Sequence, residues 1–258
     1  MKIGAMNNPR NGLLEEVRMI AGMGFDYVDL TVEYPEATPE KITEVMPEFR
    51  DALASRSLGL VGHMPWFLNI IHPYESIRKS TIEECGRIFD MCATLGIGHV
   101  TVHPDPQRLR REQKEVLSMT IDSLTALNGM ARDRGLVLCL ENFEEDYFSA
   151  ENLRQILSRV DGLMFTLDVG HAFMKVKKTE SVLKMMAELK PWISHVHLHD
   201  NHGFRDEHLP LGVGTIEMPK IIAGLKSIGY DKTITLEIHT DDREYLEISR
   251  RKLKGMWG

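Results

Sequence analysis

The sequence predicts a single α/β domain, a closed (β/α)8 TIM barrel spanning residues 1–258, on three observations. Eight short apolar, β-branched runs alternate with helical patterns along the whole chain. The length of 258 residues, with 43% hydrophobic content, matches the roughly 250 residues of one such barrel. Acidic and imidazole side chains recur where the runs end: His63, His103, Glu141, Asp168 with His171, His197 and Glu237. A barrel that brings several strand ends to one mouth delivers polar residues in that way.

KIGAM is the first strand, and Leu13 to Met23 reads as the helix after it. DYVDLTV is the second strand, followed by a predicted helix from Pro39 to Ser55 with Thr38 as its N-cap. LGLVGH and HVTVH are the third and fourth strands, with helices predicted over Glu75 to Leu95 and Arg110 to Arg134. LVLCLEN, LMFTLD, ISHVHLH and TITLEIH supply strands five to eight, each with a helix after it. These runs are nearly continuous in apolar residues, as parallel strands covered on both faces must be. Gly24, Gly96, Gly135 and Gly229 stand just before strands, where left-handed helix caps are expected. An open doubly wound sheet is the alternative for eight such units. It carries a Gly-rich phosphate turn after its first strand, and MNNPRNG is not one. No Pro- or Ser-rich linker divides the chain. The longest loops follow strands three, five and seven, on the side where such barrels build active sites.

A net charge of −7 and a pI near 5.9 argue against broad attraction to nucleic acid or an anionic membrane. Cys85, Cys92 and Cys139 form no CxxC pair and read as buried reduced thiols of a cytoplasmic protein. No apolar stretch approaches the ~18 residues of a membrane span, and Met1 leads directly into a strand. The expected partner is a small molecule, with no membrane; a homo-oligomer is compatible with all of this.

Glu141, Asp168, His197 and Glu237 end strands five to eight, which are consecutive around the barrel. Three clustered carboxylates without a cation would repel one another and force a protonation, and a divalent metal resolves that conflict. Strand seven leaves a choice open. HVHLHD puts His195, His197 and His199 on one face by the two-residue period. His195 reads as a hydrogen-bonded core residue, while the ligand lies between His197 and His199. The next loop, RDEHLPLGVGTI, carries Asp206 and His208, either a second metal site or a solvated acidic loop. Gly212 and Gly214 are expected to serve positive φ there, with a helix starting near Pro219.

The segments GHMPWFLN, TVHPDP, LENF, LDVGHAF, HLHDN, RDEHLPLGVG and LEIH resemble the xylose-isomerase-like TIM-barrel superfamily. The resemblance runs from about Lys2 to the last helix. That superfamily includes sugar and sugar-phosphate isomerases and epimerases, and endonuclease IV. The resemblance implies a divalent metal (Mn, Mg, Co or Zn) on Glu141, Asp168, His197 and Glu237, and selects His197 on strand seven. It implies metal-assisted proton transfer on a small sugar, sugar phosphate or related polyol, through an enediolate, with Glu141 and Glu237 as acid and base. Trp66, Phe67 and Phe143 are candidate walls of the substrate pocket.

Endonuclease IV is the alternative, with DNA as its partner. Its three-zinc site uses nine side chains, and the matching types stand here at His63, His103, Glu141, Asp168, His171, His197, Asp206, His208 and Glu237. His63, His103, His171, Asp206 and His208 are therefore candidates for further metals or for substrate. Two departures oppose the nuclease: the acidic TVEYPEATPE where it has a basic loop, and HPDP where it has HPG. The mouth loops offer Arg10, Arg108, Arg110, Arg111, Lys175, Lys177, Lys178 and Arg205 for phosphates. Against these stand Glu33, Glu36, Glu144, Glu145 and Asp146.

Overall fold

The computed structural model describes residues 1–104, 112–143, 147–174 and 176–258. Eight strands close a barrel in sequence order: β1 (Lys2–Met6), β2 (Tyr27–Thr31), β3 (Gly59–His63), β4 (His99–Val102), β5 (Val137–Glu141), β6 (Met164–Asp168), β7 (Ile193–Leu198) and β8 (Thr233–Leu236). All pairs are parallel, and β1 pairs with β8 to complete the ring. The helices are α1 (Leu13–Gly22), α2 (Pro39–Glu44), α3 (Met46–Ala54), α4 (Glu75–Thr94), α5 (Gln113–Arg132), α6 (Ala150–Arg159), α7 (Val169–Phe173), α8 (Thr179–Leu189), α9 (Met218–Ser227) and α10 (Glu244–Trp257).

Thr38 caps α2 as expected, its hydroxyl accepting from the Lys41 N–H at 3.3 Å. The single helix expected from Pro39 to Ser55 is instead two. Pro47 has no N–H to give, so the chain breaks at Val45 and restarts with the proline in the first turn of α3. Gly24, Gly96, Gly135 and Gly229 all have φ between 73° and 76°, so the four predicted caps are left-handed. The helix predicted from Arg110 begins at Gln113 in the described part. Arg108, Arg110, Arg111, Glu144, Glu145, Asp146 and Lys175 lie outside the described residues. Among the described residues no helix is long and apolar enough to cross a membrane. The three cysteines are buried and free.

The strands divide their residues by the two-residue period. Val28, Leu30, Val100, Val102, Leu138, Leu140, Phe165, Leu167, Val196, Leu198, Ile234 and Leu236 join one hydrophobic core with the helices. The alternate positions face the barrel interior, and they are unusually polar. Thr101 Oγ1 meets Thr166 Oγ1 at 2.9 Å, and the Tyr27 hydroxyl meets Thr235 Oγ1 at 2.9 Å, bridges that only the interior permits. Gly4 leaves room for the Tyr27 ring, which a Cβ at Gly4 would overlap. Between β6 and β7 the register jumps from Phe165↔Ile193 to Thr166↔His195, so Ser194 is the extra residue. From there His195 pairs with Thr166, and His197 with Asp168.

Candidate metal centre

Strand geometry brings the predicted ligands to one end of the barrel. His63, Glu141 and Asp168 are the last residues of β3, β5 and β6; His103 and Glu237 lie just past β4 and β8; His197 is next to last in β7. All six are buried. His197 Nδ1 stands 3.2 Å from Glu141 Oε2 and 3.3 Å from Glu237 Oε2. His103 Nε2 is 3.2 Å from Glu141 Oε2, and His171 Nδ1 is 3.3 Å from Glu141 Oε1. The rings of His63 and His197 stack at 5.0 Å between centroids, and those of His63 and His103 lie 4.8 Å apart.

These groups crowd together without satisfying one another. Both oxygens of Glu141, Glu237 Oε2, Asp168 Oδ2 and both nitrogens of His197 are buried with no hydrogen-bond partner. Such orphaned atoms cost about 1–3 kcal/mol each, and more when charged, unless something else binds them. A divalent cation suits the donor set, since imidazole nitrogen and carboxylate oxygen are what zinc, manganese and cobalt accept. Burial alone would raise Glu141 and Glu237. The imidazoles of His103 and His197 beside Glu141, and of His197 and His208 beside Glu237, outweigh it and hold both carboxyls well below the usual carboxylate range. Burial would lower His197, yet Glu141 and Glu237 raise it well above the usual imidazole range. Without a cation, a proton on His197 offsets the charge of the two carboxylates beside it.

Asp168 closes the β6 side. Its Oδ1 accepts from the His171 N–H at 2.6 Å and lies 3.4 Å from His199 Nε2. Asn142 pins the strand end, its amide donating to the Asp168 carbonyl at 2.8 Å and its oxygen accepting from the Asp168 N–H at 2.8 Å.

Asp206 and His208 join a second group with His171 and His199. His171 Nδ1–H donates to the Asn142 carbonyl at 3.1 Å, and His208 Nδ1–H donates to the Glu237 carbonyl at 3.0 Å. With those nitrogens committed, Nε2 of each ring bears a lone pair unless the ring is doubly protonated. Yet both Nε2 atoms face Asp206 Oδ2, at 3.2 and 2.8 Å. Only a second proton on each ring or a cation reconciles these contacts. Burial would lower His208, but Glu237 and Asp206 push it up to about 9. Asp206 keeps 34% of its side chain exposed.

The loop carrying this group is held by Asp200, which accepts from the N–H groups of Asn201, Ile216 and Gly212 at 2.9, 3.1 and 2.9 Å. Gly212 has the expected positive φ of 82°. Gly214 does not need one. It is glycine because a Cβ there would overlap the Asn201 carbonyl and the Asp200 carboxylate. His208 itself has φ 47°, an uncommon strained conformation for a residue with a Cβ.

His195 is the satisfied core residue expected, bonded to Thr233 Oγ1 at 2.7 Å and Asp29 Oδ2 at 3.3 Å. Phe143 stands edge-on to His103 and His171, with centroids 6.2 and 5.1 Å away, and so walls the site. Trp66 and Phe67, 56% and 46% exposed, pack edge-to-face on one another at the rim. Among the basic groups, Lys177 lies 3.0 Å over the Phe204 ring. Three residues at the site escaped the sequence reading. Asp29 lies mid-strand, Asn142 adjoins Glu141, and His239 stacks on His208 with centroids 4.1 Å apart. A carboxylate inside an apolar strand is the signal that would have revealed Asp29.

A family profile described as xylose isomerase-like TIM barrel matches residues 17–256. An uncharacterized protein of Methanocaldococcus jannaschii is 30% identical over 93% of this chain and 87% of its own length. A probable endonuclease 4 of Thermosipho melanesiensis is 26% identical over 68% of this chain and 66% of its own. A D-tagatose 3-epimerase-like protein superposes with a TM-score of 0.86 at 28% identity, over 99% of this chain and 97% of that one. The apo 3-keto-D-glucoside 4-epimerase of E. coli gives 0.81 at 20% identity, over 99% of each chain. A Thermus thermophilus protein soaked with zinc chloride gives 0.76 at 24% identity, over 99% of this chain and 98% of that one.

Proposed function

The chain belongs to the xylose isomerase-like TIM-barrel family, and within it we propose a divalent-metal-dependent isomerase or epimerase of a small sugar, sugar phosphate or related polyol ketone. One observation carries this reading. Glu141 and Glu237, from strands that are not neighbours, face the same His197 nitrogen at 3.2 and 3.3 Å. Two carboxylates so placed suit the removal of a proton from one face of a carbon and its return from another. Glu141, Asp168, His197 and Glu237 would hold the cation. When bound, it supplies Lewis-acid polarisation of a substrate carbonyl, which acidifies the neighbouring C–H. Phe143 excludes water from that point, and Trp66 and Phe67 offer apolar surface to the substrate's outer part. The D-tagatose 3-epimerase-like protein, 28% identical over 99% of this chain, supports the epimerase half of the reading.

A second reading, a zinc-dependent abasic-site endonuclease, is favoured by the groups His63–His103–Glu141 and His171–His199–Asp206–His208, which give capacity for more than one cation. The acidic loop after β2 opposes it. Glu33 there is raised by burial, against the pull of His103 and Arg10, so Arg10 in the loop after β1 already has a carboxyl in its vicinity.

Incubation with a panel of ketoses and aldoses in heavy water tests the proposal. Deuterium should enter the α-carbon of at least one sugar, only with a divalent metal, and the exchange should vanish in Glu141→Gln and Glu237→Gln. No exchange across the panel, together with cleavage of abasic DNA, would replace the first reading by the second.

A further inference from the structure

Asp29 is a carboxylate outside the predicted ligand set, mid-strand in β2 and fully enclosed by the barrel. Its Oδ2 accepts from the Thr235 hydroxyl at 2.8 Å and from His195 Nε2 at 3.3 Å. Two further imidazoles face it, and both belong to the candidate metal groups. His197 Nε2 lies 3.3 Å from Oδ2 without closing a hydrogen bond, and His63 Nδ1 lies 3.9 Å from Oδ1. Asp29 Oδ1, His63 Nδ1 and His197 Nε2 are all buried and lack hydrogen-bond partners.

The nitrogens matter. His197 turns Nδ1 to Glu141 and Glu237 and Nε2 to Asp29. A neutral imidazole bound to a cation through one nitrogen carries its proton on the other, and that proton needs an acceptor. For His197 the facing acceptor is Asp29. The same carboxylate faces the inner nitrogen of His63 and leaves Nε2 of that ring for the site. Asp29 thus stands beneath ligands from β3 and β7 at once.

Resting on the metal reading above, we propose that Asp29 is a positioning residue of the metal centre, whose carboxylate orients His197 and His63 and sets their tautomers. The contacts to Thr235 and His195, with Tyr27 bonded in turn to Thr235, fix Asp29 from below, so that it cannot swing toward the mouth.

Zinc affinity, read by competition with a chromogenic chelator, tests this in the full chain. Asp29→Asn keeps the shape and removes the charge, and should weaken zinc binding roughly 10- to 100-fold, the usual effect of losing such a partner. The ¹⁵N-histidine spectrum of zinc-loaded wild-type protein is the second measurement, independent of whether the variant folds. It should show His197 protonated at Nε2. Unchanged zinc affinity in folded Asp29→Asn, alongside a clear loss in Glu237→Gln, would overturn the role of Asp29 and leave the metal reading intact. A His197 proton on Nδ1 in the loaded protein would overturn the role of Asp29 outright. Wild-type protein that binds no zinc would overturn both.

Discussion

His208 ties the pH dependence of stability to the second metal group. Its imidazole is held at about 9 in the folded metal-free protein, where burial is outweighed by Glu237 and by Asp206, whose Oδ2 is 2.8 Å from Nε2. In the unfolded chain it titrates near 6.5. The folded value is the higher, so the stabilisation is fully present below pH 6.5 and disappears as pH rises through 9. At about 1.4 kcal/mol per pH unit this amounts to about 3 kcal/mol. At roughly 2–4 °C per kcal/mol for a domain of this size, the melting temperature should fall by roughly 6–12 °C between those pH values. The assay is calorimetry of chelator-treated protein, with His208→Asn as reference. Asparagine tolerates the positive φ at this position and does not titrate. The difference between wild type and variant should shrink across that interval. A wild-type slope equal to that of His208→Asn would refute the reasoning.

Asn142→Ala strips the Asp168 N–H and carbonyl of buried partners at 2.8 Å and should cost roughly 1–3 kcal/mol per orphaned group, read by urea unfolding. Gly214→Ala drives a Cβ into the Asn201 carbonyl and the Asp200 carboxylate, and should cost roughly 1–3 kcal/mol. The same substitution should spare the metal proposed at Glu141, His197 and Glu237, which metal analysis of the purified variant would show.

The barrel was legible because β-branched runs and helical periods alternate without interruption, and because four glycines mark the helix ends. The break in the second helical stretch was legible as well, in Pro47, which has no N–H to give to a continuous helix. Convergence of Glu141 and Glu237 on a histidine of β7 followed from strand order alone. Strand period could not choose between His197 and His199, since the three histidines of β7 share a face. Their depth is set by the extra residue Ser194, a pairing detail that propensity does not encode. Asp29 was not legible as a site residue because it stands inside a strand, and its role depends on imidazoles from strands that lie far apart in sequence. Asn142 and His239 act through contacts with a neighbouring strand end and loop, which spacing does not reveal.

Donors that the protein itself leaves unpaired should hold a divalent cation. An anomalous difference map from a zinc-soaked crystal tests this most directly. It should show a peak at about 2.0–2.2 Å from His197 Nδ1 and from an oxygen of each of Glu141 and Glu237. A map with no peak among those three residues, with their side chains paired to one another instead, would contradict it.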